Sequence, residues 1–127
     1  TTVIWKLDGN SYRRFIIDAY AKTNSPEAHN WISQDGFTSN ILSSETIVVI
    51  QGVKYRDEAT TLPSILTVGI GPVTIFNNGN MIEGTWRRTD IDDSFDLFDS
   101  NGNPIYIPPS KQWIHIMPLE GTISVTE

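Results

Sequence analysis

The strongest constraint on the fold is a pair of β-rich runs that meet at an Asn-Gly step. Val73-Thr74-Ile75-Phe76 leads into Asn77-Asn78-Gly79-Asn80, and Met81-Ile82-Glu83-Gly84-Thr85-Trp86-Arg87-Arg88 follows. A tight two-residue turn needs positive φ at its centre, which Asn and Gly tolerate best, so this segment predicts an antiparallel hairpin. Phe95-Asp96-Leu97-Phe98, Asp99-Ser100-Asn101-Gly102-Asn103 and Pro104-Ile105-Tyr106-Ile107 repeat the pattern. So do Thr2–Leu7, the turn Asp8-Gly9-Asn10 and Ser11–Ile17.

The remaining strand signals fall between these hairpins. Thr46–Gln51 is a continuous apolar run, as expected of a strand buried on both faces. Ile65–Ile70 is a further strand candidate, with Gly69, Gly71 and Pro72 marking a bulge or bend. Gln112–Pro118 reads as the last long strand, with the tail Thr122–Val125 pairing to it. Residues 56–64 read as a loop. Residues 18–45 are irregular, with breakers at Asn24-Ser25-Pro26 and Gln34-Asp35-Gly36, and Pro26-Glu27-Ala28-His29 is the one place suited to a helical turn. About nine or ten short strands, roughly 8–12 residues apart, predict a mainly β fold. The expectation is an antiparallel sandwich or barrel-like sheet built from hairpins, with at most one short helix. It forms a single domain over residues 1–127, and the start at Thr1 reads as the beginning of an excised piece of a longer protein.

Composition narrows the function. The chain has no cysteine, which removes disulfides, thiolate metal sites and a Cys nucleophile together. Its net charge is −6 and uneven: residues 64–127 carry three basic against eight acidic side chains. An acidic surface repels phosphate backbones and anionic headgroups, so nucleic acid and direct lipid binding are not expected. No apolar run approaches the ~18 residues of a membrane span.

Few residues suggest chemistry. Asp99-x-Asn101-x-Asn103 has the opening spacing of a Ca²⁺ loop, but the Glu required at the twelfth position is Ser110. The competing reading is turn chemistry, so no specific Ca²⁺ site is expected there. Asp90, Asp92, Asp93 and Asp96 form an acidic cluster that reads as a solvated loop, with a bridging divalent cation as the alternative. Glu83 and Asp18 are the carboxylates considered for acid–base work on sugars, though no spacing brings them together. His29 and His115 have no ligand-spaced neighbours, and alternation puts His115 opposite Ile114 and Ile116, exposed or on the rim. No Ser lies in a nucleophile-elbow context. Trp5, Trp31, Trp86 and Trp113, with Tyr12, Tyr20, Tyr55 and Tyr106, are the aromatic groups able to stack on sugars or grip a peptide. Of these, Trp86 and Trp113 fit core packing better. In Arg13-Arg14 and Arg87-Arg88 neighbours face opposite sides, so one arginine of each pair suits an aromatic face.

The run Gly71–Arg88 resembles a signature of the form G-x-hydrophobic-x-hydrophobic-F-x-x-G-x-x-x-x-G-T-W-x-(K/R). Phe98–Ile105, Ile107-Pro108-Pro109 and Trp113–Pro118 resemble its continuation, and Tyr12-Arg13-Arg14 and Glu45–Val49 resemble its earlier strands more loosely. These motifs are similar to the C-terminal domain of the YerB-like bacterial lipoproteins. Ser110 stands where that family usually has Gly, and its G-x-x-H-x-D segment has no clean match near Asp18 and His29. The resemblance implies a lipid-anchored, extracytoplasmic parent with a second domain N-terminal to this one, and no catalytic residue. The function expected is a non-catalytic binding or interaction domain of the cell envelope, without a cofactor. Its expected partners are an envelope protein, a cell-wall component or its own N-terminal domain. The alternative is an enzyme, or enzyme accessory, acting on cell-wall glycan or peptide. Trp113, Tyr106, Arg87 and Trp31 are the candidate binding residues.

Overall fold

The computed structural model describes residues 2–20, 24–32, 35–36 and 39–126; Gln34, in one of the expected breakers, lies outside them. Thirteen strands are described: β1 (Thr2–Asp8), β2 (Ser11–Ile17), β3 (Glu27–Ala28), β4 (Asn30–Ile32), β5 (Ser39–Ile41), β6 (Ser43–Ser44), β7 (Thr46–Gly52), β8 (Lys54–Arg56), β9 (Pro63–Ile65), β10 (Gly69–Asn77), β11 (Asn80–Arg88), β12 (Asp96–Asp99) and β13 (Gln112–Pro118). There is no helix among the described residues.

The scaffold is a five-stranded sheet in the order β12-β11-β10-β7-β13. Its centre is the expected Asn-Gly hairpin. Asn77 pairs with Asn80 across the turn, and Asn78 and Gly79 both take positive φ, 48° and 80°. The second hairpin closes differently. The Gly102 N–H donates to the Asp99 carbonyl, Gly102 alone has positive φ, and the Asp99 N–H donates to the Asn103 carbonyl. That is a three-residue connection, after which pairing stops at one Phe98–Pro104 bridge. The sheet is open, with β12 and β13 at its edges, so the barrel alternative does not apply. It is also mixed, because β13 runs parallel to β7.

The hairpin β1–β2 lies on one face of this sheet. Its Gly9-Asn10 turn joins Asp8 to Ser11, and β3 and β6 extend it into a smaller sheet. As expected, β7 is buried on both sides. Val48 and Ile50 pack with Val73, Ile75 and Trp86 on one face, under Phe95, Leu97, Ile105 and Ile107. Ile47 and Val49 pack with Tyr12 on the other, among Trp5, Phe76, Trp113, Met117 and Ile123.

Several sequence expectations are corrected. Glu27-Ala28 pairs with Phe15 and Ile16 as a strand and opens no helical turn, because the exposed edge of β2 takes up its backbone. Residues 56–64 contain the ends of a β8–β9 hairpin. The strand expected over Ile65–Ile70 is interrupted at 66–68, where the Leu66 N–H turns back to the Val53 carbonyl. No bulge forms at Gly71-Pro72, since β10 pairs with β11 without a slip from Gly69 to Asn77. Thr122–Val125 forms no strand. The Gln51 amide donates to the carbonyls of Pro118 (3.2 Å) and Gly121 (3.1 Å), and the Gly121 N–H bonds Pro118, turning the chain out of the sheet.

Gly71 has a packing reason. The bonds from the Thr46 N–H to the Lys111 carbonyl and from the Leu119 N–H to the Gly52 carbonyl fix the phase of β7. Its even residues bond β13, so Gln51 points its carbonyl toward β10, opposite Pro72. Proline has no N–H to give. The indole Nε1 of Trp86 donates there instead, at 2.8 Å. It crosses Gly71, where an added Cβ would lie 2.6 Å from both Trp86 Nε1 and the Gln51 carbonyl oxygen.

Candidate functional site

Hairpin register brings together the most chemically distinctive side chains. Trp5 and Arg14 are cross-strand partners on β1 and β2, so both point from the same face of the hairpin. That face meets Trp113 and His115, which share a side of β13 by strand alternation. The Trp5 and Trp113 rings meet edge-on at 5.4 Å, and the Trp5 Nε1–H donates to His115 Nε2 at 2.9 Å. The Arg14 guanidinium sits 5.0 Å from the Trp113 ring centre and 5.9 Å from that of Trp5. It also donates through Nη1 to His29 Nδ1.

Proton positions follow from the partners. Indole and guanidinium only donate. His115 therefore accepts at Nε2 and carries its proton on Nδ1, while His29 accepts at Nδ1 and carries its proton on Nε2. Burial lowers the His115 pKa below the ordinary histidine value, and the nearby Arg14 charge lowers it further. Burial also lowers the pKa of Arg14. The Arg14 Nε is buried without a hydrogen-bond partner among the described residues, a cost offset by its contact with two indoles. Both imidazole lone pairs are thus engaged within the protein. What the cluster offers a ligand is N–H donors, a cation and aromatic faces.

Trp113 is the only one of the four candidate binding residues in this cluster. Tyr106 is 78 % exposed in the segment after β12. Arg87 is exposed on β11 and lies over Phe98 at 4.8 Å, with β10 and β7 between it and β13. Trp31 is exposed on β4, in a separate two-stranded sheet. Alternation sends Arg13 outward to an ion pair with Asp8 and Arg14 inward onto indoles. Both arginines of the second pair meet rings, Arg88 lying 4.9 Å from Phe95. His115 is corrected from rim to half-buried, because Trp5 closes over it.

Three of the acidic candidates, Asp18, Asp90 and Asp99, accept N–H groups of their own backbone. Asp99 Oδ1 accepts the N–H groups of Asn101 and Asn103, each at 2.9 Å, which is turn capping. Asp90 Oδ1 accepts the Asp92 N–H at 3.1 Å. Arg88 holds the same loop through the carbonyls of Ile91 and Asp93 and also donates to Thr67 Oγ1, ahead of β10. Asp18 accepts the Tyr20 N–H after β2, whereas Glu83 lies on β11 of the other sheet, so the two do not converge. Glu83 lines a shallow concavity of about 310 Å³ with Gln51, Thr74, Met81, Ile123 and Val125. Among the described residues, no three His, Asp or Glu side chains are arranged to hold a metal ion.

Residues 2–114 match the family described as the protein of unknown function (DUF3048) C-terminal domain. The chain belongs to this family. Its fold is also that of a solved relative, the YerB protein from Bacillus subtilis, at a TM-score of 0.64 and 17% sequence identity. The match covers 90% of this chain and 35% of the other, so the family domain spans about a third of that longer protein. No curated protein matches the chain.

No local sequence signal marks the cluster as a unit. One part of it is legible, because the Gly9-Asn10 turn fixes Trp5 opposite Arg14. The parallel pairing of β13 that places Trp113 and His115 beneath them has no local signature.

Proposed function

We propose that this DUF3048 domain is a non-catalytic binding domain of an extracytoplasmic bacterial lipoprotein. The observation that carries the reading is the engaged state of both histidines. His29 gives its lone pair to Arg14 and His115 gives its own to Trp5, so neither has one left to take a proton from a substrate. A site of N–H donors, a stacked guanidinium and two indoles suits recognition of an acceptor-rich partner, such as a cell-wall glycan, a peptide carboxylate or an envelope protein. The placement outside the cytoplasm and the lipid anchor rest on the motif resemblance. The enzyme alternative draws on Glu83, the one carboxylate in its concavity.

The parent protein, incubated with purified cell-wall sacculi and with envelope extract, tests this. The expected outcome is retention of a cell-wall or envelope component that is lost in Arg14→Gln and weakened in Tyr106→Ser and Trp31→Ser. Release of soluble glycan or peptide fragments from the sacculi overturns the reading in favour of an enzyme, as does unchanged retention by all three variants.

A further inference from the structure

The parallel ladder leaves one edge of β13 unpaired. The hydrogen bonds at the two ends of the ladder, Thr46 N–H to the Lys111 carbonyl and Leu119 N–H to the Gly52 carbonyl, show that odd residues of β13 bond β7. The N–H and C=O groups of Gln112, Ile114 and Ile116 therefore point away from the sheet, and no described residue bonds them. The side chains of Ile114 and Ile116 are 53 % and 49 % exposed. Open edges are commonly guarded by lysine, by inward-pointing charge or by a bulge. From Gln112 to Met117 this edge has none of these, and Pro118 alone ends it.

We propose that this edge pairs antiparallel with β13 of a second copy of this chain, about a twofold axis through His115. The phase fits. With His115 opposite itself, Ile114 exchanges both backbone bonds with Ile116 of the other copy, and Ile116 does the same with Ile114, giving four hydrogen bonds. The isoleucines become cross-strand neighbours on one face. Gln112 falls opposite Pro118, which has no N–H to give and whose carbonyl already accepts Gly121 and Gln51, so the ladder stops there at both ends. From Gln112 to Pro118 the strand carries no Asp, Glu, Lys or Arg, so the twofold brings no like charges together across the ladder. The contact is isologous and closes as a dimer, joining two five-stranded sheets into one of ten strands. It does not rest on the ligand reading above: its hydrogen bonds use the backbone edge and its isoleucines the face of β13 opposite Trp113, while the axis sets His115 beside His115 of the second copy.

Sedimentation equilibrium on the intact chain at concentrations up to about 0.2 mM tests it. The expected result is a monomer–dimer equilibrium of a 14.2 kDa chain. Ile114→Lys and, separately, Ile116→Pro should each raise the dissociation constant about tenfold or more. A chain that stays monomeric throughout this range overturns the proposal. So does a dimer that survives both Ile114→Lys and Ile116→Pro, which places the contact on another surface.

Discussion

Replacing Trp86 by phenylalanine separates two contributions that the structure assigns to one side chain. Trp86 is 1 % exposed, meets Phe95 edge-on at 5.5 Å and donates its indole N–H to the Gln51 carbonyl. Phenylalanine keeps one ring and removes the other with its donor. The lost apolar volume and the space left behind cost about 1–2 kcal/mol. The Gln51 carbonyl then faces Pro72, which cannot donate, and an unpaired buried carbonyl costs about 1–3 kcal/mol more. The expected total is about 2–5 kcal/mol, against about 3–5 kcal/mol for Trp86→Ala by loss of the aromatic group alone. Pro72→Ala supplies the missing N–H at the position facing that carbonyl. Alone it should change stability by less than about 1 kcal/mol, since the indole already fills the acceptor. In the Trp86→Phe background it should recover about 1 kcal/mol, a favourable coupling between partners of one hydrogen bond. Urea unfolding followed by far-ultraviolet circular dichroism on the four proteins measures this cycle. A Trp86→Phe chain within about 0.5 kcal/mol of the parent refutes the core assignment, and a coupling near zero refutes the carbonyl argument.

Two further outcomes follow from the hairpin docking. Because the folded-state pKa of His115 lies below its unfolded value near 6.5, the unfolded chain binds more protons as pH falls. Its contribution is therefore fully present above about pH 6.5 and lost progressively as pH falls from there through the lower folded-state pKa. Thermal unfolding between pH 8 and 5 should show this loss, with a flatter profile in His115→Gln; identical profiles count against it. The Tyr12 hydroxyl accepts the Gly79 N–H at 2.9 Å, tying the first hairpin to the central Asn-Gly turn. Tyr12→Phe should destabilise by about 1 kcal/mol, measured by the same urea titration, and no change means that the turn amide is served by water.

Local sequence determined the hairpins of this domain, because turns of two or three residues depend on which residues accept positive φ. Gly9, the pair Asn78-Gly79, and Gly102 each occupy that conformation where the sequence predicts a turn. Alternation likewise determined that Trp86 faces inward, with Arg87 on the solvent side, and that Trp113 shares a side with His115 and Met117. Long-range pairing decided the rest. The strand β13 returns parallel to β7 more than sixty residues away, and no period or turn residue encodes such a partner. That pairing fixes which β13 backbone groups stay free and which aromatic rings meet the first hairpin. The carbonyl of Gln51 shows the same division. Sequence placed Gly71 and Pro72 side by side, and their chemistry suggested a break in the strand. Only the tertiary structure brought an indole across the glycine to supply the hydrogen bond that the proline could not.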